Sequence, residues 1–166
     1  MGLLANFMGV DDATLGSLRG LDDDALVERI EELEEAGGPV YPMDKMWDIL
    51  HFVLTGTSAM MPIEGDALSE AVVGVHVFDV EDFVGVTEAA ELPRVLAAME
   101  GLDVAALRSR LSFPALRDKG LYPRLSESTP DAENALWVQV AKEFEGLRSF
   151  YREAVDAHLN VLVSVY

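Results

Sequence analysis

The sequence predicts an α+β domain in which several helices pack on a mostly antiparallel β-sheet. Three apolar patterns typical of strands, Gly2–Met8, Ala71–Phe78 and Val161–Val165, are separated by amphipathic patterns typical of helices. These strand patterns are too few and too unevenly spaced for a doubly wound parallel sheet. The chain has 166 residues, 50% of them hydrophobic, so residues 1–166 are predicted to form one domain with one core.

The N-terminal region predicts a buried strand followed by two helices. The apolar run Gly2–Val10 ends at Asp11, which can cap a helix that begins directly after it. Asp22–Glu35 then has the spacing of an amphipathic helix, and Gly37 follows where that helix would end. The outer face of this helix is acidic, which is typical of a solvated surface and, alternatively, of a docking surface for a cationic partner.

The next pattern, Tyr41–Leu54, predicts a helix with one apolar and one polar face. Four polar residues return to the same side of the helix: Asp44, Asp48, His51 and Thr55. Because the opposite face is apolar, we expect the helix to be anchored by that face and to display the polar row. Asp44 is well placed as the helix N-cap, and Gly56 as the left-handed residue that ends the helix.

Two strands are predicted in the middle of the chain, after a polar loop that runs through Pro62 and Asp66. Ala71–Val80 is rich in β-branched residues, and Gly74 interrupts it in the manner of a bulge or a close backbone approach. Phe83–Val86 is a second, shorter strand candidate.

The second half of the chain predicts helices and a final strand. Three short helices are expected: Pro93–Met99, Asp103–Leu111 and Ser112–Gly120. Thr129 as N-cap and Pro130 as the first helical residue begin a long helix. The apolar run Val161–Tyr166 then predicts a strand that must pair inside a sheet, and the equally apolar N-terminal strand is its natural neighbour.

The strong negative charge excludes one class of partner. With 30 acidic against 12 basic residues, the formal net charge is −18, which repels phosphate backbones. Five basic residues are spread along one segment between apolar residues, and we interpret them as helix-end and surface cations: Arg108, Arg110, Arg117, Lys119 and Arg124. We therefore expect no nucleic-acid partner.

Cysteine content and hydropathy bear on the compartment. The chain contains no cysteine, which excludes disulfides, thiolate catalysis and cysteine metal sites. No apolar run is long enough for a bilayer, and the apolar N-terminus lacks the basic region of a signal peptide. The sequence thus predicts a cytoplasmic protein without a membrane partner.

A distinctive motif extends over residues 45–58 and reads KxWDxLHFxLTGTS. Further features accompany it along the chain: Gly74-x-His76, Phe83-x-Gly85-x-Thr87, Leu102-Asp103 and Tyr122-Pro123. Together they resemble the YfbM-like family of small bacterial proteins of unknown function, over nearly the whole chain. The resemblance implies a compact α+β bacterial domain and carries no known activity, substrate or cofactor.

The polar helix supplies the candidate catalytic residues. Asp48 lies about one helical turn before His51, so its carboxylate can favour the charged imidazole, as a general acid–base pair requires. We expect this pairing to raise the pKa of His51, so that the pair stabilises the protein below about pH 6.5 and loses that effect as the pH rises. A structural hydrogen-bonding role for His51 is the competing interpretation.

A binding site on the displayed face would add the aromatic residues nearest to it. The candidate binding residues are Lys45, Trp47, Asp48, His51, Thr55, Gly56 and Tyr122. Trp47 and Tyr122 combine apolar contact with a polar group, although Trp47 borders the apolar face and can also pack in the core. No metal-ligand spacing or phosphate-binding glycine loop occurs, so no metal or cofactor is predicted. His76 is interpreted as a core histidine, and His158, in the last turn of the long helix, is assigned no chemistry.

Two functional hypotheses follow from the polar row. The first is a non-catalytic binding module, monomeric or weakly dimeric, whose polar groove around this row takes a basic protein partner or a small polar ligand. The second is a small hydrolase or transferase in which His51, oriented by Asp48, is the general base, while Lys45 or Thr55 binds an anionic or carbonyl group. The enzyme hypothesis requires a pocket that exposes a ring nitrogen of His51.

Overall fold

A computed structural model describes residues 2–126 and 129–166. Its centre is a five-stranded sheet in the order β2-β1-β5-β4-β3. The strands are β1 (Ala5–Val10), β2 (Val40–Asp44), β3 (His76–Val77), β4 (Phe83–Thr87) and β5 (Asn160–Val165). Every neighbouring pair is antiparallel, which confirms the predicted α+β class.

Eight α-helices occur in the described part of the chain. They are α1 (Asp12–Leu18), α2 (Asp23–Glu35), α3 (Trp47–Thr55), α4 (Ala67–Val73), α5 (Leu92–Glu100), α6 (Val104–Leu107), α7 (Phe113–Asp118) and α8 (Pro130–Asp156). The predicted helix from Asp103 to Leu111 is divided into α6 and a 3₁₀ turn, Arg108–Arg110. Within the described ranges, no helix combines the length and apolar character needed to cross a membrane.

The two terminal strands pair with each other, as predicted. Phe7 lies opposite Val163 and Met8 opposite Leu162, while the other edge of β5 pairs with β4. Alternate residues of these strands face opposite sides of the sheet. Phe7 and Val163 pack in the larger apolar cluster with α3, α4, α5 and α8, and Met8 and Leu162 pack in a smaller one with α1 and α2. Helices therefore cover both faces.

The segment before α3 differs from the prediction. The helix expected over Tyr41–Leu54 begins only at Trp47, because Val40–Asp44 forms the edge strand β2. An edge position is one that a strand containing Pro42 can occupy. Asp44 is not the helix cap, since it ends β2 with a φ of 59° and Met46 occupies the cap position of α3.

The strand predicted over Ala71–Val80 is mostly wrong. Its first three residues complete the helix α4, and only His76 and Val77 pair as a strand. Asp66 caps α4 through the backbone N–H groups of Leu68 and Ser69, and α4 is buried from Ser69 onward. A helix that is buried on all sides gives no clear amphipathic period, so the valines of α4 resemble those of a strand.

Candidate functional site

The two central residues of the polar row, Asp48 and His51, are buried, contrary to the expectation that the row is displayed. Asp48 and His51 are only 1% and 0% exposed, because α4 and the loop of residues 57–63 cover this side of α3. Both faces of α3 are therefore interior, and the polar groove expected around this row is occupied by the protein's own groups.

Asp48 joins α3 to two distant segments. Its Oδ1 accepts hydrogen bonds from the Ser58 hydroxyl at 2.7 Å and from the Ala59 N–H at 2.8 Å, and its Oδ2 accepts one from the Tyr122 N–H at 2.8 Å. Three donors compensate for the cost of burying a carboxylate. Asp48 thus fixes the loop after α3 and the turn at Tyr122 in one geometry.

The imidazole of His51 is enclosed between a carbonyl and a hydroxyl. Nδ1 lies 2.8 Å from the Thr57 carbonyl oxygen, which can only accept, so Nδ1 carries the ring proton. Nε2 lies 2.8 Å from Ser69 Oγ, which accepts from the Ile63 N–H at 2.9 Å and donates its own proton to Nε2. This arrangement satisfies a neutral ring protonated at Nδ1.

The pKa of His51 is lowered, the reverse of the predicted shift. Burial disfavours the charged imidazole and outweighs the hydrogen bond to Thr57 and the attraction of Asp48 and Asp66, which act in the opposite direction. The expectation failed because the ring is buried, and the carboxylate of Asp48, which bonds Ser58, Ala59 and Tyr122, does not compensate for that burial.

The general-base hypothesis lacks geometric support. Described residues engage both ring nitrogens of His51, and the ring is fully buried. A general base must reach a substrate proton directly or through one water, and this imidazole is separated from solvent by the loop that it holds.

The end of α3 combines side-chain and backbone hydrogen bonds. Thr55 Oγ1 donates to the His51 carbonyl at 2.8 Å, and Gly56, with a φ of 84°, ends the helix as predicted. Arg110 donates to the carbonyls of Val53 and Leu54 at 3.1 and 2.9 Å, which satisfies groups that a helix end leaves unpaired.

The two predicted aromatic residues meet at the side of α3. The rings of Trp47 and Tyr122 stack with centroids 5.9 Å apart and an interplanar angle of 24°. Trp47 Nε1 donates to the Leu3 carbonyl at 3.3 Å, and Trp47, although only 4% exposed, lines a groove. Lys45 is exposed, and Gly2 lies so close to its side chain and to Tyr122 that a Cβ there would be 2.1 Å from the tyrosine hydroxyl. The structure therefore places Tyr122 between the buried Trp47 and the exposed Lys45.

The loop held by Asp48 and His51 presents apolar side chains to solvent. Met60 and Met61 are 73% and 72% exposed, in a segment predicted to be polar. Ser58 Oγ accepts from the Met60 N–H at 3.1 Å, and the Ser58 carbonyl accepts from the Met61 N–H at 2.9 Å. Hydrogen bonds to its backbone therefore hold the loop in place, while the side chains of Met60 and Met61 remain exposed to solvent.

A groove of about 220 Å³, which we name the Met60 groove, lies beside this loop. Its apolar lining includes Leu3, Trp47, Met60, Val73, Phe83 and Val165. Glu81 and Asp82 add carboxylates to the lining. A neighbouring acidic cleft shares both of them and continues along α2, where it is lined by Asp23, Asp24, Glu28 and Glu31.

Sequence reasoning missed the residues of the Met60 groove other than Trp47. A local signal was present, because the apolar run Met60-Met61-Pro62-Ile63 interrupts the polar loop, and methionines in an exposed loop are typical of adaptable binding surfaces. Phe83 and Val165 carried no comparable signal, since only the sheet order brings β4 and β5 to this groove.

The basic segment is divided among several roles. Arg108 pairs with Glu133, and Arg110 binds the end of α3. Arg117 and Arg124 are exposed at a cleft of about 410 Å³ beside the turn at Pro123. These contacts agree with the interpretation of the cluster as helix-end and surface cations.

Comparisons with known proteins cover nearly the whole chain. A family model described as a domain of unknown function (DUF1877) matches residues 1–164. Protein YfbM of Escherichia coli (strain K12) is 33% identical over 154 residues, which are 92% of this chain and 91% of YfbM. The crystal structure of YfbM from Escherichia coli, itself described as a protein of unknown function, matches with a TM-score of 0.79 and 29% identity over 98% of this chain and 99% of that one. The resemblance seen in the sequence is confirmed, and the chain belongs to the DUF1877 family.

Proposed function

We propose that this protein is a non-catalytic binding module whose Met60 groove takes an apolar side chain from a basic protein segment. The observation that carries the proposal is the exposed pair Met60 and Met61 on a loop that the buried Asp48 and His51 hold in place. Exposed apolar groups on a fixed loop beside an apolar groove are characteristic of interaction surfaces.

The size of the groove favours one anchoring side chain over a complete small molecule. Its volume of about 220 Å³ is below the range of about 300–1,000 Å³ that is usual for small-molecule pockets. Protein interfaces commonly concentrate their affinity in one or a few apolar anchors that fill pockets of this kind. Met60, with its flexible thioether, can adapt to the shape of the anchor.

Charge determines which segment would carry the anchor. Glu81 and Asp82 line the groove, and the acidic cleft along α2 continues from them. A partner with Lys or Arg beside its apolar anchor would place cations along this cleft, and the net charge of −18 would attract it from a distance. On this proposal the acidic face of α2 is a docking surface for a cationic partner, the second of the two interpretations that its sequence allowed.

The predicted binding residues then have different roles. We assign direct contact with the partner to Trp47, which lines the groove. Asp48, His51, Thr55 and Gly56 act as positioning residues that hold the loop and the helix end, and Tyr122 supports Trp47 by stacking. No observation within the described residues favours the hydrolase or transferase alternative.

A displayed library of short random peptides tests the proposal. We expect selection on the full chain to enrich peptides in which a large apolar residue is flanked by Lys or Arg. Fluorescence polarisation with one enriched peptide should show binding that weakens with salt. Enrichment of acidic or purely polar peptides, or of none, would contradict the proposal.

Two variants of equal charge change localise the binding. Met60→Lys places a cation at the groove and should weaken peptide binding at least about tenfold, or about 1.4 kcal/mol. Val138→Lys makes the same change at a residue that is 67% exposed on α8 and should leave binding unaltered. Equal affinity of the two variants would place the peptide elsewhere and overturn the assignment to the Met60 groove.

A further inference from the structure

A histidine and two glutamates converge at the edge of the sheet, away from the Met60 groove. His76, Glu88 and Glu91 each offer a ligand atom, and these atoms all lie within 4.8 Å of one another. His76 was predicted to be a core histidine, but its side chain is 53% exposed, since β3 is the edge strand of the sheet. The cluster combines one imidazole nitrogen with carboxylate oxygens, which makes it more than an acidic patch.

Three separate segments position the cluster. His76 is on β3, opposite Val86 of β4, while Glu88 directly follows β4 and Glu91 precedes α5. Glu91 Oε2 accepts a hydrogen bond from the Glu88 N–H at 2.9 Å, and this contact directs Oε1 to His76 Nε2 at 2.8 Å. The backbone therefore fixes Glu91 and leaves one of its oxygens facing the imidazole.

We propose that His76, Glu88 and Glu91 bind one divalent first-row transition metal ion, with Zn²⁺ as the best-matched ion. Imidazole nitrogen and carboxylate oxygen are both ordinary zinc ligands, at about 2.0–2.2 Å from the metal. Tetrahedral coordination at that distance places ligand atoms about 3.4 Å apart. Small rotations of His76 and Glu88, whose side chains are 53% and 40% exposed, bring their ligand atoms to this spacing around the fixed Glu91.

The nitrogen ligand decides between classes of metal. Ca²⁺ and Mg²⁺ prefer sites made entirely of oxygen ligands, and Ca²⁺ takes six to eight of them. An imidazole with two carboxylates instead matches the preference of Zn²⁺ and of its neighbours in the first transition row.

The cluster also leaves room for a further ligand. His76 and Glu88 line a cavity of about 380 Å³ together with Arg19, Val77, Phe78 and Val86. Arg19 pairs with Glu88 and lines the same cavity, from which a water or a small anion would complete the coordination. The guanidinium competes with the metal for Glu88, and the two carboxylates together still outweigh its charge.

Calorimetric titration of the full chain with ZnCl₂ at physiological ionic strength tests the site. We expect one saturable equivalent, whereas the diffuse attraction of a strongly acidic surface gives no saturation and is screened by salt. A parallel titration with CaCl₂ should give no saturable binding. Saturable Ca²⁺ binding of equal affinity, or the absence of a saturable Zn²⁺ equivalent, would overturn the proposal.

Three variants assign the bound metal to these residues. His76→Ala should weaken Zn²⁺ binding at least about tenfold, while the matched control His158→Asn, in which Asn suits the positive φ of 54°, should not change it. Arg19→Ala should tighten binding severalfold, because it releases Glu88. Circular dichroism checks that each variant is folded. Zn²⁺ affinity that does not change in His76→Ala would refute the site even if the protein binds zinc elsewhere.

Discussion

Asp48 on α3 accepts a hydrogen bond at 2.8 Å from the backbone N–H of Tyr122, 74 residues further along the chain. The other oxygen of the same carboxylate binds Ser58 and Ala59. One buried side chain therefore connects three parts of the chain. They are α3, the loop of residues 57–63, which we call the methionine loop, and the turn at Tyr122, whose ring stacks on Trp47. This connection holds α3, the loop after it and the turn at Tyr122 in one arrangement.

Replacing Asp48 with Asn should destabilise the protein by about 2–3 kcal/mol. The amide keeps the volume of the side chain, but its NH₂ group takes the place of one carboxylate oxygen. Because all three partners of Asp48 are donors, at least one buried N–H then has no acceptor. Urea unfolding measures the loss. The matched control is Asp44→Asn, an exposed residue of positive φ that Asn tolerates, and it should alter stability by less than about 0.5 kcal/mol.

Equal stabilities for the Asp48 and Asp44 variants would show that the carboxylate hydrogen bonds contribute little. The methionine loop provides a second measure of the same role. In Asp48→Asn, backbone amide exchange should accelerate at Ala59, whose N–H loses its charged acceptor.

Removal of Val161–Val165 should yield insoluble protein. β5 pairs with β1 on one edge and with β4 on the other, so its loss opens two strand edges and exposes both apolar clusters. Fractionation of an expressed culture measures the outcome. Tyr166→Phe removes only the hydroxyl that donates to Glu34 at 3.1 Å and should remain in the soluble fraction. Soluble, folded protein after the deletion would contradict the central role of β5.

Signals within a few residues of each other predicted much of the local structure. Asp11 and Thr129 both cap helices where the sequence placed them, because a cap needs only an oxygen and the next turn of backbone. The pairing of the terminal strands was also predictable, since an apolar strand requires a partner and few candidates exist. His158 lies just beyond α8 rather than within it, a difference of two residues.

The orientation of the polar row was not predictable from its spacing. A helical period shows that Asp48 and His51 share a face, but it does not show whether solvent or protein covers that face. The decisive partners are backbone groups outside α3, the N–H of Tyr122 and the carbonyl of Thr57, and nearly every residue type carries such groups. The motif was therefore recognisable as unusual, while its burial depended on tertiary contacts.

Gly85→Ala should destabilise the protein by about 2 kcal/mol or more. A Cβ at Gly85 would lie 2.1 Å from the Val73 carbonyl oxygen, so α4 or β4 must move apart. Gly74 explains the close approach, because its φ of 84° ends α4 directly against the backbone of Val86. Gly101→Ala is the control, since Gly101 has helical geometry and its nearest oxygen is 3.4 Å from the added carbon. A loss for Gly85→Ala no larger than for Gly101→Ala would show that the two elements separate at little cost.

The stability of the protein should fall on mild acidification because of His51. Burial lowers the pKa of this ring below its ordinary value of 6.5, so the unfolded chain binds a proton at a pH where the folded protein does not. The contribution of the neutral ring is therefore complete above about pH 6.5 and decreases as the pH falls toward the folded pKa, by up to about 1.4 kcal/mol per pH unit.

Two measurements distinguish this lowered pKa of His51 from the raised pKa that the spacing of Asp48 and His51 predicts. NMR titration should place the midpoint of the His51 ring below 6.5. Urea unfolding at pH 7.5 and at pH 5 should show a larger loss for the wild type than for His51→Gln, which has no group that titrates there. A midpoint at or above 6.5 would mean that the charge of Asp48 outweighs the effect of burial. Asp48 and His51 would then form a charged pair, and the hydrogen bonds to the methionine loop would not come from a neutral imidazole.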